Sequence, residues 1–284
     1  MKKKVHSANG KRTTPFAVAW KGLLAVAVFG LALGVIGYGK KSKSSSSSSE
    51  RESSSSKSQV ETKVCTLPGG VKLEMVHVEP GSFMMGGGKE KRRERITEGF
   101  WLGKFEVTQA QWEAVMGENP SRFKGADNPV ENVSWDDCQR FLKKLNALPA
   151  VRESGLVFRL PTEKEWEYAC RAGAKGDYCK LADGTEITER TLGEVAWYDD
   201  NSDGKTHPVG QTKPNAFGLY DMHGNVLEWC EDLYRAGLSY RVFRGGSWIN
   251  YSRYCTAGNR NYYYPGYRLI YLGFRLAASQ DVNR

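Results

Sequence analysis

Apolar residues recur at helical spacing in two stretches, and each opens with a cap. Trp135, Cys138, Phe141, Leu142 and Leu145 fall on one face of a helix that starts after Ser134-x-x-Asp137 and stops at Pro149. Trp166, Ala169 and Cys170 form a shorter stripe behind Thr162-x-x-Glu165, with Gly173 as the stop. Thr108-x-x-Gln111 predicts a third helix over 109–116, closed by Gly117. Strand signals are weaker. Val71 to Val78 alternates, Glu79-Pro-Gly-Ser82 reads as a turn, and Phe83 to Gly86 reads as a short second strand. Gly86-Gly-Gly88 lacks the Lys-Ser/Thr of a phosphate loop and predicts a solvated hairpin tip. Arg241 to Trp248 and Leu272 to Ala277 mix large apolar residues with glycines and predict two buried strands.

Between these elements lie two polar stretches of different character. Residues 175–214 show no periodicity, and irregular backbone of that length is expected to need a disulfide, a metal or a large scaffold. Asp199, Asp200, Asn201 and Asp203 within it form an acidic loop. Residues 249–271 are rich in Tyr, Asn and Arg, a composition suited to a recognition surface. Cys255 inside this segment raises the question of chemistry as opposed to binding.

The N-terminus changes the picture of charge. The chain has 284 residues and a net charge of +9, yet residues 1–59 alone hold 11 Lys/Arg against two Glu. The remainder is neutral, so the basic balance is no argument for nucleic-acid binding. Residues 1–15 form a basic tail, and residues 16–39 contain an uncharged apolar run long enough to cross a bilayer. The positive flank predicts an uncleaved signal anchor with its N-terminus inside. Residues 40–59 are serine-rich and predict a flexible linker, which leaves 60–284 as one folded domain. This order predicts a cell-envelope protein, anchored in the membrane, with the domain outside the cytoplasm.

All six cysteines lie beyond the linker, with no Cys-x-x-Cys pair. An exported domain of this size permits disulfides without requiring them. Cys138 and Cys170 sit on apolar helix faces and read as core. The three histidines of the domain, His77, His207 and His223, have no metal-ligand spacing, and no Gly-x-Ser-x-Gly elbow occurs.

Several motifs then occur in a telling order. They are Phe105-Glu-Val-Thr-Gln-Ala-Gln-Trp112, Pro129-Val-Glu-Asn-Val-Ser-Trp135, and Arg159-Leu-Pro-Thr-Glu-Lys-Glu-Trp-Glu-Tyr-Ala169. Asn215 to Trp229, Gly245-Gly-Ser-Trp248 and Leu272-Gly-Phe-Arg275 follow. Together they resemble the formylglycine-generating enzyme (sulfatase-modifying factor) family over about residues 65–278. The resemblance implies an α+β domain of the C-type-lectin-like kind, with little regular secondary structure and a structural calcium ion. The implied calcium ligands are the side chains of Asp221 and Glu228 and the carbonyls of Gly224 and Val226. Hard oxygen donors suit that cation.

The resemblance also implies a copper site of two cysteines, and here the chain departs. Counting from Gly245-Gly-Ser247, the first position falls on Cys255 and the second on Arg260. A guanidinium cannot ligate copper. Cys255 then reads as a small buried residue or as half of a disulfide with Cys230. The alternative is that Cys255 still serves an oxidase or another modifier of exported proteins.

Residues 255–275 also look like the variable region of proteins diversified by diversity-generating retroelements, which use this scaffold for binding. The residues fitting that palette are Ile249, Asn250, Tyr251, Arg253, Tyr254, Asn259, Asn261, Tyr262, Tyr263, Tyr264, Tyr267, Leu269, Ile270 and Tyr271. The expectation is a displayed, non-catalytic domain that binds a protein or another surface ligand through 249–271.

Overall fold

A computed structural model describes residues 60–281. The expected tail, anchor and linker lie outside the described residues. Among the described residues no helix is long and apolar enough to cross a membrane.

The strands are short and their partners are distant in sequence. β1 (Thr62–Thr66), β2 (Lys72–Val78), β5 (Phe100–Gly103), β6 (Leu156–Arg159) and β11 (Ala277–Gln280) form one sheet in the order β1-β2-β5-β11-β6. Its neighbours are antiparallel throughout, and the C-terminal strand lies between β5 and β6. β3 (Gly81–Met85) and β4 (Arg92–Ile96) form the hairpin expected around the triple glycine. A second sheet orders β10 (Leu272–Gly273), β7 (Leu227–Leu233), β8 (Arg241–Arg244) and β9 (Asn261–Tyr263), with β10 parallel to β7.

The helices follow their caps. α1 (Gln109–Met116), α2 (Trp135–Ala147) and α4 (Glu163–Arg171) each carry a reciprocal capping box, on Thr108, Ser134 and Thr162 respectively. Pro149 ends α2, then serves as the first residue of a five-residue helix, α3 (Pro149–Glu153). The apolar face of α2 enters a core where Phe141 stacks on Trp112 at 5.3 Å and meets the edge of Phe274 at 5.5 Å. Trp166, Ala169 and Cys170 of α4 belong to a second core group with Val76, Leu102 and Val242.

Three sequence expectations change. The strand expected over 272–277 is divided, since β10 ends at Gly273 and β11 begins at Ala277. The strand expected over 241–248 is shorter: Gly245 (φ +102°) and Gly246 (φ +77°) leave it in the left-handed region that glycine tolerates. The stretch 175–214 has no disulfide, since all six cysteines are free and buried. It is held by a small core of its own, in which Tyr178, Cys179, Leu181, Ile187, Leu192, Val195 and Ala196 surround Cys255.

Candidate functional site

Cys255 is the residue on which a catalytic reading depends, and its surroundings are inert. It is fully buried, and burial pushes its thiol up to about 12. A Cβ on Gly246 would lie 2.5 Å from its sulfur, so backbone covers the thiol closely. Its carbonyl accepts a 2.7 Å hydrogen bond from His223 Nδ1. Cys230 packs in a different core group and remains free, so the Cys230–Cys255 disulfide considered from the sequence is absent. Arg260, in the expected second thiol position, donates from Nε to Glu163 at 2.6 Å and from Nη2 to the Tyr234 carbonyl at 3.0 Å. The pair does not fit a copper ion.

His223 is buried against Cys170 Sγ, 3.5 Å from Nε2, and burial depresses its pKa to about 4. The folded state therefore holds it neutral, while the unfolded chain protonates it near 6.5. Its contribution is intact above 6.5 and is lost as pH falls towards 4. At pH 5 the expected loss is about 2 kcal/mol. Glu106 and Asp221 act in the opposite sense, because burial raises both. The measurement is therefore comparative: urea midpoints at pH 7.5 and 5 should fall further in the wild type than in His223→Gln. Equal acid losses would contradict this reading.

Of the residues expected to hold calcium, the two carboxylates are already hydrogen-bonded within the protein. Glu228 accepts from Arg275 Nε at 2.7 Å, from Arg275 Nη2 at 2.8 Å and from Trp166 Nε1 at 2.6 Å. Asp221 accepts from the Gly210 N–H at 2.7 Å and from Thr212 Oγ1 at 3.4 Å. Gly224 and Val226 are tied through their N–H groups to the Gly245 carbonyl and to Glu106 Oε1. Among the described residues no group of three or more His, Cys, Asp or Glu is arranged to hold a metal ion. As arranged, the Glu228 carboxylate serves as the counter-ion of Arg275 rather than as a free ligand for the ion.

The tyrosine-rich segment separates into exposed and structural positions. Ile249, Tyr251, Arg253, Tyr254, Tyr262, Tyr263, Tyr264 and Tyr267 are exposed. Asn250, Asn259, Asn261, Leu269, Ile270 and Tyr271 are half-buried and hold the scaffold. Leu269 and Tyr271 pack on the main core, and the Ile270 carbonyl accepts from Trp248 Nε1. Asn250 accepts from Ser247, Asn259 donates to the Tyr254 carbonyl, and Asn261 pairs with Phe243 in the sheet.

The exposed residues form two aromatic groups. In one, the Arg253 guanidinium lies 4.9 Å from the Tyr251 ring and 4.8 Å from the Tyr254 ring. In the other, Tyr263 stacks on Tyr267 at 3.9 Å and meets the edge of Tyr264. Two residues outside 249–271 complete this second group. Tyr234 stacks on Tyr262 at 3.7 Å, and Tyr240 meets Tyr264 at 4.5 Å with their hydroxyls 3.0 Å apart. Both extra tyrosines lie between β7 and β8, and only the pairing of β8 with β9 brings them to the segment.

A family model described as the sulfatase-modifying factor enzyme 1-like domain matches residues 64–280. The chain belongs to this family. Its sulfatase-modifying-factor domain is similar to the chaperone protein LppX of Paenibacillus barcinonensis, at 32% identity over 66% of this chain and 83% of that protein. It is also similar to the formylglycine-generating enzyme of Thermomonospora curvata, at 30% identity over 71% of this chain and 69% of the enzyme. Among solved structures it resembles Treponema denticola variable protein 1, with a TM-score of 0.66 and 32% identity. That match covers 76% of this chain and 98% of the variable protein. The mixed α and β architecture is that of the C-type-lectin-like fold expected from the sequence.

Proposed function

We propose that this chain is a displayed ligand-binding protein built on the sulfatase-modifying-factor scaffold. The observation that carries the reading is the contiguous group of Tyr234, Tyr240, Tyr262, Tyr263, Tyr264 and Tyr267, whose rings are joined by stacked, tilted and edge contacts while Tyr262, Tyr263, Tyr264 and Tyr267 stay exposed. Mutually supported rings lose little conformational entropy on binding, so they serve as rigid anchors. The burial of Cys255 and the ion pair of Arg260 support binding over oxidation. The likeness to a variable protein over almost its whole length supports it further. In this proposal the partner is a protein or peptide surface. Residues 16–39 anchor the chain in the membrane, and residues 40–59 hold the domain away from it, outside the cytoplasm.

The test is selection of a random peptide library on the purified full-length protein. Changing Tyr262, Tyr263 and Tyr264 together to Ala should weaken the selected peptides by about 100-fold or more, given ~1–2 kcal/mol per aromatic anchor. These residues are exposed, so the thermal midpoint should stay within a few degrees of the wild type. Peptides that bind the triple variant with undiminished affinity would overturn the proposal.

A further inference from the structure

Beside the tyrosine group lies a polar cavity of about 230 Å³, whose charged lining is Glu90, Arg92, Glu163, Glu167, Arg244 and Arg260. It is continuous with the aromatic face through Arg260, whose guanidinium lies 4.3 Å from the Tyr234 ring. Tyr234 in turn stacks on Tyr262. Part of the wall is bare backbone, because a Cβ on Gly258 would meet the Gly86 carbonyl at 2.9 Å. The volume falls below the ~300–1,000 Å³ of a site for a whole drug-sized ligand. It suits one functional group of something larger.

The polar inventory indicates which group. Glu167 is saturated: it accepts from the Gly86 N–H, from Arg171 Nε and Nη2, and from Arg244 Nη2. Glu163 Oε1 accepts from Arg260 Nε. Three guanidinium nitrogens of this lining remain without a hydrogen-bond partner among the described residues. Arg244 is almost wholly buried, and its Nε has no hydrogen-bond partner; Glu163 Oε1, at 3.4 Å, is misaligned. Arg92, whose side chain is 61% exposed, uses Nε on Glu94 and Nη2 on Met85, which leaves Nη1 at the cavity mouth to solvent or a ligand. Arg260 uses Nε and Nη2 and likewise leaves Nη1. A buried unpaired N–H is costly, and guanidinium donors are shaped for carboxylates. Glu90 is exposed to solvent, and Glu163 Oε2 remains as an acceptor for a peptide N–H.

We infer that this cavity is a carboxylate socket of the binding face, held by Arg244 Nε with Arg92 and Arg260. The socket rests on the proposed binding role of the tyrosine group and assigns that role a chemistry: a peptide ligand that inserts an acidic side chain or its C-terminus next to Tyr234.

Three small probes separate these sources when titrated into the full-length protein and followed by calorimetry. N-acetylglutamate amide carries a side-chain carboxylate, N-acetylglutamine a terminal one, and N-acetylglutamine amide neither. At least one of the first two should bind about tenfold or more tightly than the neutral probe, since a hydrogen bond to a charged group is worth roughly 1.5–3 kcal/mol. The probe that binds identifies the source. Arg92→Gln and Arg260→Gln should each reduce that affinity several-fold and make it less sensitive to salt. Arg244→Lys, which keeps the charge but loses Nε, should reduce it as well. If Arg244→Lys does not fold, the two glutamine variants still decide the question.

Equal binding of all three probes, no binding of either acid, or full affinity in both glutamine variants would overturn the inference. Failure of the probes together with intact tyrosine-dependent peptide capture would remove the socket alone. Loss of that capture would remove the binding face itself.

Discussion

Replacing Arg275 with Met is expected to destabilise the protein by about 3–5 kcal/mol, the typical cost of stripping one partner from a buried ion pair. Arg275 is fully buried and grips Glu228 through two parallel hydrogen bonds. Its Nη1 also donates to the Gly103 carbonyl, and its Nη2 to the Tyr220 carbonyl. One side chain therefore joins β5, β7 and the loop before β7. Methionine fills much of the volume and supplies none of the donors. It leaves Glu228 with Trp166 alone, close to Glu106 and Asp221, two acids whose carboxyls burial already raises. Urea unfolding measures the loss. Arg275→Met combined with Glu228→Gln should recover part of it, because most of the penalty is the unpaired charge. A single variant within ~1 kcal/mol of the wild type would show that the pair contributes little.

Gly224→Ala is expected to have a comparable effect, about 4 kcal/mol or failure to accumulate folded protein, by a different mechanism. Gly224 has φ of +105°, and a Cβ there would overlap the Trp197 carbonyl oxygen, with the carbonyl carbon 2.9 Å away. That oxygen already accepts the Asn225 N–H at 2.7 Å, and the Gly224 N–H donates to the Gly245 carbonyl at 2.9 Å. Three chain segments meet at this point with no room for a methyl group. Gly204 is the control. Its φ is +69° and nothing lies within 4 Å of where a Cβ would stand, so Gly204→Ala should lose only the ~1–2 kcal/mol of left-handed backbone. Comparable losses in the two variants would mean that backbone conformation, not the steric contact, sets the cost.

The helices are readable from local sequence because their signals are local. Thr108, Ser134 and Thr162 each bond within their own first turn, and each helix begins where its cap places it. The sheet order is not readable in this way. β11 lies between β5 and β6, a pairing set by shape across most of the chain and by no short pattern. The stretch 175–214 reads as needing a disulfide, a metal or a large scaffold because its apolar residues, Tyr178, Leu181, Ile187 and Leu192, follow neither a helical nor a strand period. They converge only once the chain folds around Cys255. At the candidate site, composition identifies the tyrosines of 262–267. It does not separate exposed Tyr267 from half-buried Tyr271, and it misses Tyr234 and Tyr240, which belong to another hairpin. In the sequence, Arg260 is informative only for what it cannot do to copper. Its part in a cavity with Arg92 and Arg244 emerges only in the folded chain.

The path of residues 249–271 is fastened almost entirely by groups other than the exposed rings. Trp248 holds the Ile270 carbonyl, Arg244 the Asn259 carbonyl, the Asp136 N–H the Pro265 carbonyl, and Arg268 is paired with Asp137. Fold stability and surface identity are thereby assigned to separate sets of residues. Substitutions at Tyr251, Tyr254, Tyr262, Tyr263, Tyr264 and Tyr267 alter what the surface offers while leaving these fastenings intact. The same frame can therefore carry many alternative faces at nearly equal thermal tolerance, which makes it a natural host for combinatorial libraries in which those positions are randomised and the fasteners are kept.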